Sequence, residues 1–275
     1  MKLGIFAKTF EGSEPASVMH AAKQAGFSEV QYNMACSGLA SMPDRIDVAT
    51  ALAVHQAAQR SAIKISAVSA TYNMIHPDLA VRELGLQRLD VIAARCAELG
   101  TSLITLCTGT RHATDQWQWH VENESQEAWR DLTSEMAKAL TIAERHNVNL
   151  GIEPELANVV NSASKAKILI DQMKSSRLKI IFDAANLFEV ATMEEQRTII
   201  SSSIDLLAPH IVVAHAKDRM PDGAFTVAGQ GCLDYGHYIA CLTSIGFEGA
   251  LVTHGLTAAD AMAVSQFLKG ITHVA

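Results

Sequence analysis

Long apolar runs are missing from this 275-residue chain. No stretch approaches the roughly 18 to 20 residues that cross a bilayer, which excludes a transmembrane helix and a membrane partner. The start, Met1-Lys2-Leu3-Gly4-Ile5-Phe6-Ala7-Lys8, has too short an apolar part for a signal peptide and no cleavage signature; it reads as a first strand. An excess of positive charge is also lacking. With 22 Lys+Arg against 29 Asp+Glu the formal charge is −7, which argues against a nucleic-acid partner. The five cysteines (Cys36, Cys96, Cys107, Cys232 and Cys241) are odd in number and none is spaced as CxxC. Neither a disulfide framework nor a zinc–cysteine site is indicated. A reducing cytoplasm is the expected setting, with each cysteine a small buried apolar group. The first strand is not followed by a glycine-rich turn, since Phe6-Ala7-Lys8-Thr9-Phe10 contains no glycine. That counts against a doubly wound dinucleotide-binding sheet.

What is present is an ordinary globular composition, 49% apolar and 19% charged, with enough apolar surface to exclude disorder. Short β-branched runs alternate with amphipathic stretches. Strands are predicted at Lys2–Phe6, Glu29–Tyr32, Lys64–Val68, Ser102–Leu106, Asn149–Ile152, Leu178–Phe182, Ile211–Ala214 and Ala250–Thr253. Helices are predicted at Glu14–Ala25, Arg45–Gln59, Leu79–Leu99, Ser125–Arg145, Ala163–Met173, Met193–Leu207, Tyr235–Ser244 and Ala258–Leu268. Gly26, Gly100 and Gly246 stand where helices should close in a left-handed turn, and Asn161-Ser162 and Ser125 where helices should start. Eight units at about 34 residues each predict a parallel sheet with crossover helices, hence a (β/α)8 TIM barrel, one domain over residues 1–275.

Active sites of such barrels lie where strands end and βα loops begin. Strand five closes on Glu153-Pro154-Glu155, strand six on Asp183-Ala184-Ala185-Asn186, strand seven on His215-Ala216-Lys217-Asp218 and strand eight on His254-Gly255. Glu153, Asp183, His215 and His254 are separated by 30, 32 and 39 positions, about one unit each. Four adjacent strands therefore offer two carboxylates and two imidazoles at one end. That set suits Mn²⁺, Zn²⁺, Co²⁺ or Fe²⁺ better than the harder Mg²⁺. The alternative is a set of hydrogen-bonded core polar groups.

Other polar groups follow the strands. Lys8, Thr9 and Asn33 follow strands one and two. After strand three, Asn73 and His76 are candidate polyol contacts, or else a turn organiser and a helix start. After strand four, the long segment Cys107–His120 carries Arg111, a candidate anion holder, and Trp117 and Trp119, candidates to lie against a sugar face or act as a lid. Lys217 shares the parity of His215. It can bind an anionic group, form a Schiff base, or pair with Asp218. Gly229-Gln230-Gly231 is a weak phosphate signal, more often a plain turn, and Asp234 is a candidate helix cap.

Tyr72-Asn73-Met74-Ile75-His76-Pro77-Asp78, Gly151-Ile152-Glu153-Pro154-Glu155, Phe182-Asp183-Ala184-Ala185-Asn186 and His215-Ala216-Lys217-Asp218 resemble the xylose isomerase-like TIM-barrel superfamily. The likeness is to its sugar phosphate isomerase/epimerase branch and runs through nearly the whole chain. Ketose epimerases of that superfamily hold a divalent ion by Glu, Asp, His and Glu at strands five to eight. The first three match Glu153, Asp183 and His215; His254 departs from the fourth. Asn186 stands where those enzymes place a His. Their two glutamates act as paired acid and base, and only one has a counterpart here.

The resemblance implies a metal-dependent isomerase or epimerase acting on a sugar, sugar acid or sugar phosphate, by an enediolate-type proton transfer. Glu153, Glu155 and Lys217 are the catalytic candidates, and Asn73, His76, Arg111, Trp117 and Asn186 the substrate-binding ones. A dehydratase or lyase on a polyol or keto acid, as in inosose dehydratases, is the alternative in chemistry. A non-catalytic sugar-binding barrel is the alternative in kind. An apurinic-site endonuclease needs a larger set of histidine ligands than this chain offers. The sequence leaves room for a homo-oligomer.

Overall fold

Each barrel strand is a run of four to six residues led by Val, Ile, Leu and Ala, as buried parallel strands require. In the computed structural model, residues 1–272 are described. Residues 273–275, the end of the expected domain, lie outside them. The strands are β1 (Lys2–Phe6), β2 (Glu29–Tyr32), β3 (Lys64–Ser69), β4 (Leu103–Cys107), β5 (Asn149–Glu153), β6 (Leu178–Asp183), β7 (Ile211–Ala216), β8 (Asp218–Arg219), β9 (Phe225–Thr226) and β10 (Ala250–Thr253). Eight of them close a barrel in the order β1-β10-β7-β6-β5-β4-β3-β2, every pairing parallel. This is the (β/α)8 barrel that the strand spacing predicts. The two-residue strands β8 and β9 form a separate antiparallel hairpin and have no counterpart among the predicted strands.

The helices are α1 (Pro15–Gln24), α2 (Val48–Arg60), α3 (Leu79–Ala93), α4 (Cys96–Leu99), α5 (Gln126–His146), α6 (Ala163–Met173), α7 (Met193–Leu207), α8 (Tyr235–Ser244) and α9 (Ala261–Thr272). None is long and apolar enough to cross a membrane. The predicted helix Leu79–Leu99 is two helices. The chain turns at Ala94-Arg95, where the Arg95 guanidinium donates to the carbonyls of Ile46 and Ala94 and gives the broken end partners. Ser125, Ser162 and Asp234 cap α5, α6 and α8 by accepting backbone N–H groups. Gly26, Gly100 and Gly246 all have positive φ. The five cysteines are free thiols.

Alternation along the strands divides the core in two. One parity faces out and packs under the helices, with Ile5, Ile104, Ile152, Ile180 and Leu251 against residues such as Met19, Leu132, Met136, Ile200 and Leu268. The other parity fills the barrel; among the described residues its fully buried apolar cluster is small: Ala67, Leu103, Ile181, Val213, Ala250 and Val252. Two positions further along the same strands, on the same inward face, come Ser69, Thr105, Asp183, His215 and His254. The barrel is thus apolar below and polar at the mouth, and the change falls at the C-terminal strand ends.

Candidate metal centre and its pocket

Glu153 ends β5, Asp183 ends β6, His215 lies near the end of β7, and His254 follows β10 directly. Sheet register sets their depth, since Asp183 is paired with His215 and Val252 with His215 across neighbouring strands. One ligand-type atom from each of the four lies within 4.8 Å of the others. His215 Nδ1 is 3.2 Å from Glu153 Oε1, and His254 Nε2 is 3.2 Å from Asp183 Oδ2. The two imidazole rings are 4.6 Å apart between centroids. Two carboxylates and two imidazoles from four adjacent strands, aimed at one point, form a donor set that a divalent transition-metal ion fits in number, charge and ligand type.

Each ligand has support behind it. Asp183 Oδ1 accepts the Ala185 N–H at 2.9 Å, which fixes the carboxylate and leaves Oδ2 for the cluster. Asn186 donates from Nδ2 to Glu153 Oε1 at 2.7 Å, and its Oδ1 accepts from Lys217 Nζ at 2.7 Å. The amide therefore ties a ligand to the pocket lysine. Lys217 Nζ is also 3.5 Å from Asp183 Oδ2 and 3.7 Å from the centre of the Phe225 ring, on which the Arg219 guanidinium lies at 3.9 Å. The β8–β9 hairpin thereby presses an aromatic ring onto two cations beside the site.

The charges respond to this crowding. Burial opposes ionisation of Asp183, but Lys217 and His254 hold its carboxyl well below the usual carboxylate range. Burial also works against Glu153, and the charge and hydrogen bond of His215 hold it below its ordinary value. Burial lowers His254 despite its bond to Asp183, favouring the neutral imidazole that a ligand must be. For His215 the pull of Glu153 outweighs burial and raises it. Glu155 is pushed up to about 7, first by burial and then by the Glu153 charge, so near neutral pH its carboxyl exists in both forms.

A cavity of about 440 Å³ opens above the cluster, lined by Glu153, Glu155, His215, Lys217 and His254 on one side and by Lys8, Asn33, Gln116 and Trp117 on the other. Trp117 is half exposed at the rim.

Of the five substrate-binding candidates only Trp117 lines this cavity; Asn186 is buried behind it on Glu153 and Lys217, and the other three turn away. Asn73 is consumed by the neighbouring loop: Nδ2 donates to Thr110 O at 2.8 Å, and Oδ1 accepts from Thr110 N at 3.0 Å and Ile75 N at 3.3 Å. Gly109 (φ +78°) allows that closeness, since a Cβ there would sit 2.2 Å from Asn73 Oδ1. His76 bonds Ala113 O at 2.8 Å through Nε2, and its Nδ1 accepts from Asp78 N at 3.0 Å. Arg111 donates to Asp131 at 2.6 Å, beside Arg82 on the same carboxylate at 2.9 Å. These three side chains latch the β3 and β4 loops to each other and to α5. They face a separate side cavity or the interior of the wall.

Two further readings are corrected. Lys217 pairs with Asp183 and Asn186, not with Asp218. The Asp218 carboxylate instead accepts the N–H groups of Gly229, Gly231 and Leu233 at 2.9–3.1 Å. The backbone donors of Gly229 and Gly231 are therefore already filled by a side-chain anion. A Cβ on Gly231 would lie 2.3 Å from Asp218 Oδ1, so glycine here serves that close approach.

Gln31, Ser69 and Thr105 were not among the candidates, yet they lie buried beneath the site. His215 Nε2 is 3.0 Å from Gln31 Oε1. The available signal was parity: Glu29, Gln31 and Asn33 alternate through a strand that should otherwise be apolar on both faces.

Residues 19–269 match the profile of the xylose isomerase-like TIM barrel family, and the chain belongs to that family. No curated protein matches it in sequence. Among solved structures it is similar to an L-ribulose 3-epimerase, at 17% identity over 99% of this chain and 95% of the other, TM-score 0.77. It is similar also to 3-keto-D-glucoside 4-epimerase from E. coli, at 16% identity over 99% of each chain, TM-score 0.76. A D-psicose 3-epimerase from Clostridium cellulolyticum, solved with D-tagatose, matches at 14% identity over 99% of each chain, TM-score 0.76. At these identities the likeness is one of fold.

Proposed function

We propose that this chain is a metal-dependent sugar isomerase or epimerase acting on a keto sugar or its acid or phosphate, in a reducing cytoplasm. The observation that carries the reading is the convergence of Glu153, Asp183, His215 and His254 within 4.8 Å at the floor of a polar pocket in the barrel mouth. The similar solved structures named above, three epimerases of keto sugars, support the substrate class.

The four side chains would hold a divalent ion, with Mn²⁺, Zn²⁺, Co²⁺ or Fe²⁺ suited better than Mg²⁺. The chemistry supplied by an ion held there would be polarisation of a carbonyl and a neighbouring hydroxyl, which would acidify the adjacent C–H. The protein supplies the proton acceptor. Glu155 lines the pocket with a carboxyl at about 7, so it can take a proton from carbon and return it to the neighbouring carbon. The Lys217 ammonium, fixed by Asn186 and Phe225, lines the same pocket and would stabilise an oxygen on which negative charge develops. Trp117 offers a ring face to the sugar's C–H surface. Because His254 occupies the strand-eight position, both glutamates come from one strand end, Glu153 closing β5 and Glu155 two residues beyond it. That favours proton transfer on one face, between adjacent carbons, over exchange between two opposed carboxylates.

The test joins metal and proton. Protein purified without chelator should contain a transition metal that His254→Ala loses. A panel of ketoses, sugar acids and their phosphates in D₂O should reveal one that exchanges a C–H next to its carbonyl. Wild-type protein that holds no metal and takes none up, or that exchanges no proton in any of them, would overturn the reading.

A further inference from the structure

Gln31 reaches across the barrel. It lies on β2 with its side chain in the lumen, only 8% exposed. Its Oε1 is 3.0 Å from His215 Nε2 on β7. Its Nε2 donates to Ser69 Oγ on β3 at 3.2 Å and to Thr105 Oγ1 on β4 at 3.3 Å, and Thr105 Oγ1 donates to Ser69 Oγ at 3.4 Å. Three strands that carry no ligand thus contribute one buried polar chain, and it ends on a ligand.

We infer that Gln31 is a positioning residue for the metal centre, a role that rests on the metal reading above. Both N–H bonds of its amide are spent on the two hydroxyls, so the amide oxygen is the group left to face His215. That oxygen accepts only, so it holds a proton on His215 Nε2. A neutral imidazole has one N–H. Without an ion, Nδ1 donates to Glu153 Oε1, 3.2 Å away; with the other proton held on Nε2, Nδ1 is the nitrogen that would give up its proton to an ion, its lone pair then aimed where the four ligand atoms converge. Gln31 therefore selects both the tautomer and the ring orientation that ligation needs. An amide does this without adding charge. The donor set stays at two carboxylates and two neutral imidazoles against a dication. Replacing the amide by a carboxylate would keep the acceptor and add a negative charge to the same line of contacts.

Gln31 also lines the pocket, so the test is made without substrate. Chelator-stripped wild type, Gln31→Met and Gln31→Glu are titrated with Mn²⁺ and with Zn²⁺, and the melting of each apo protein is recorded. Gln31→Met should weaken metal binding by about 10- to 100-fold with little change in the apo melt. Gln31→Glu should bind at least as tightly as wild type. In ¹⁵N spectra of the Zn²⁺ form, the His215 proton should sit on Nε2 in wild type. If wild type binds metal and Gln31→Met binds it equally well, or if Gln31→Glu is as weak as Gln31→Met, the positioning role is overturned while the metal reading stands. If wild type binds no metal, both fall. Should Gln31→Met not fold, Gln31→Glu and the wild-type spectrum decide the question: weak binding, or a proton on Nδ1, refutes it.

Discussion

On the β5 to β10 side of the mouth, Glu153, Asp183, His215 and His254 turn toward one another within 4.8 Å. On the β3 and β4 side, Asn73, His76 and Arg111 turn into the wall and are used up on Thr110, Ala113 and Asp131. Both groups are polar side chains that follow barrel strands, and the difference lies in what carries them. Three of the first group stand on strands and the fourth one residue past a strand, where pleat and register dictate direction. The second group stands in long loops, which must supply partners for their own backbone and recruit nearby polar side chains to do so. A polar side chain at a strand end is thus available to a ligand, whereas one within a loop is often the loop's own fastening.

The largest expected effect breaks the first side. Glu153→Gln removes a ligand charge and should cut the C–H exchange rate of the responsive sugar by roughly 10³-fold, with an unchanged melting temperature. Exchange at the wild-type rate would take Glu153 out of the mechanism.

Breaking the other side should act on stability instead. Asp131→Ala leaves Arg82 and Arg111 without their carboxylate, and both guanidinium side chains are over nine-tenths buried. The cost should be about 2–3 kcal/mol in urea unfolding, below the ~3–5 kcal/mol of a fully buried pair because Asp131 is one-third exposed. Metal affinity should remain within severalfold of wild type. A large loss of metal with intact stability would contradict the division drawn here.

The same carboxylate gives a pH signature. Burial works to raise Asp131, but hydrogen bonds and charge from Arg82 and Arg111 hold it below its ordinary value. Its stabilisation is therefore fully present above the unfolded carboxyl's range near pH ~4 and is lost as pH falls through the lower folded value. Urea midpoints measured from pH 6 down to pH 2 should fall more steeply for wild type than for Asp131→Asn. Parallel curves would show that the two arginines do not stabilise this charge.

The smallest effect should come from the rim. Trp117 is 52% exposed, so Trp117→Ala should leave stability within about 0.5 kcal/mol. It should raise KM roughly fivefold, the equivalent of about 1 kcal/mol of ring contact, and leave kcat nearly unchanged. An unaltered KM would make the tryptophan mere loop packing.

Local pattern carried far into this molecule. Runs such as Leu178–Phe182 and Ile211–Ala214 mark strands because parallel strands buried on both faces must be apolar, and the unit spacing of Glu153, Asp183, His215 and His254 follows from one ligand per strand–helix repeat. Where the pattern broke, the cause was not local. The bend at Ala94-Arg95 takes its partner from Ile46, and the β8–β9 hairpin is organised around Asp218 by a loop more than ten residues downstream.

By itself, then, the sequence determined the number of strand–helix units, the inward parity of the ligands and the end of the barrel at which they gather. All of these depend on periods of two and 3.6 residues that neighbours in the chain enforce. Only the tertiary structure decided which polar side chains the loops would consume and which would reach the site. Gln31 and His215 are 184 positions apart. They meet because closing the sheet brings β2 across the lumen from β7, and no local period records a contact made by closure.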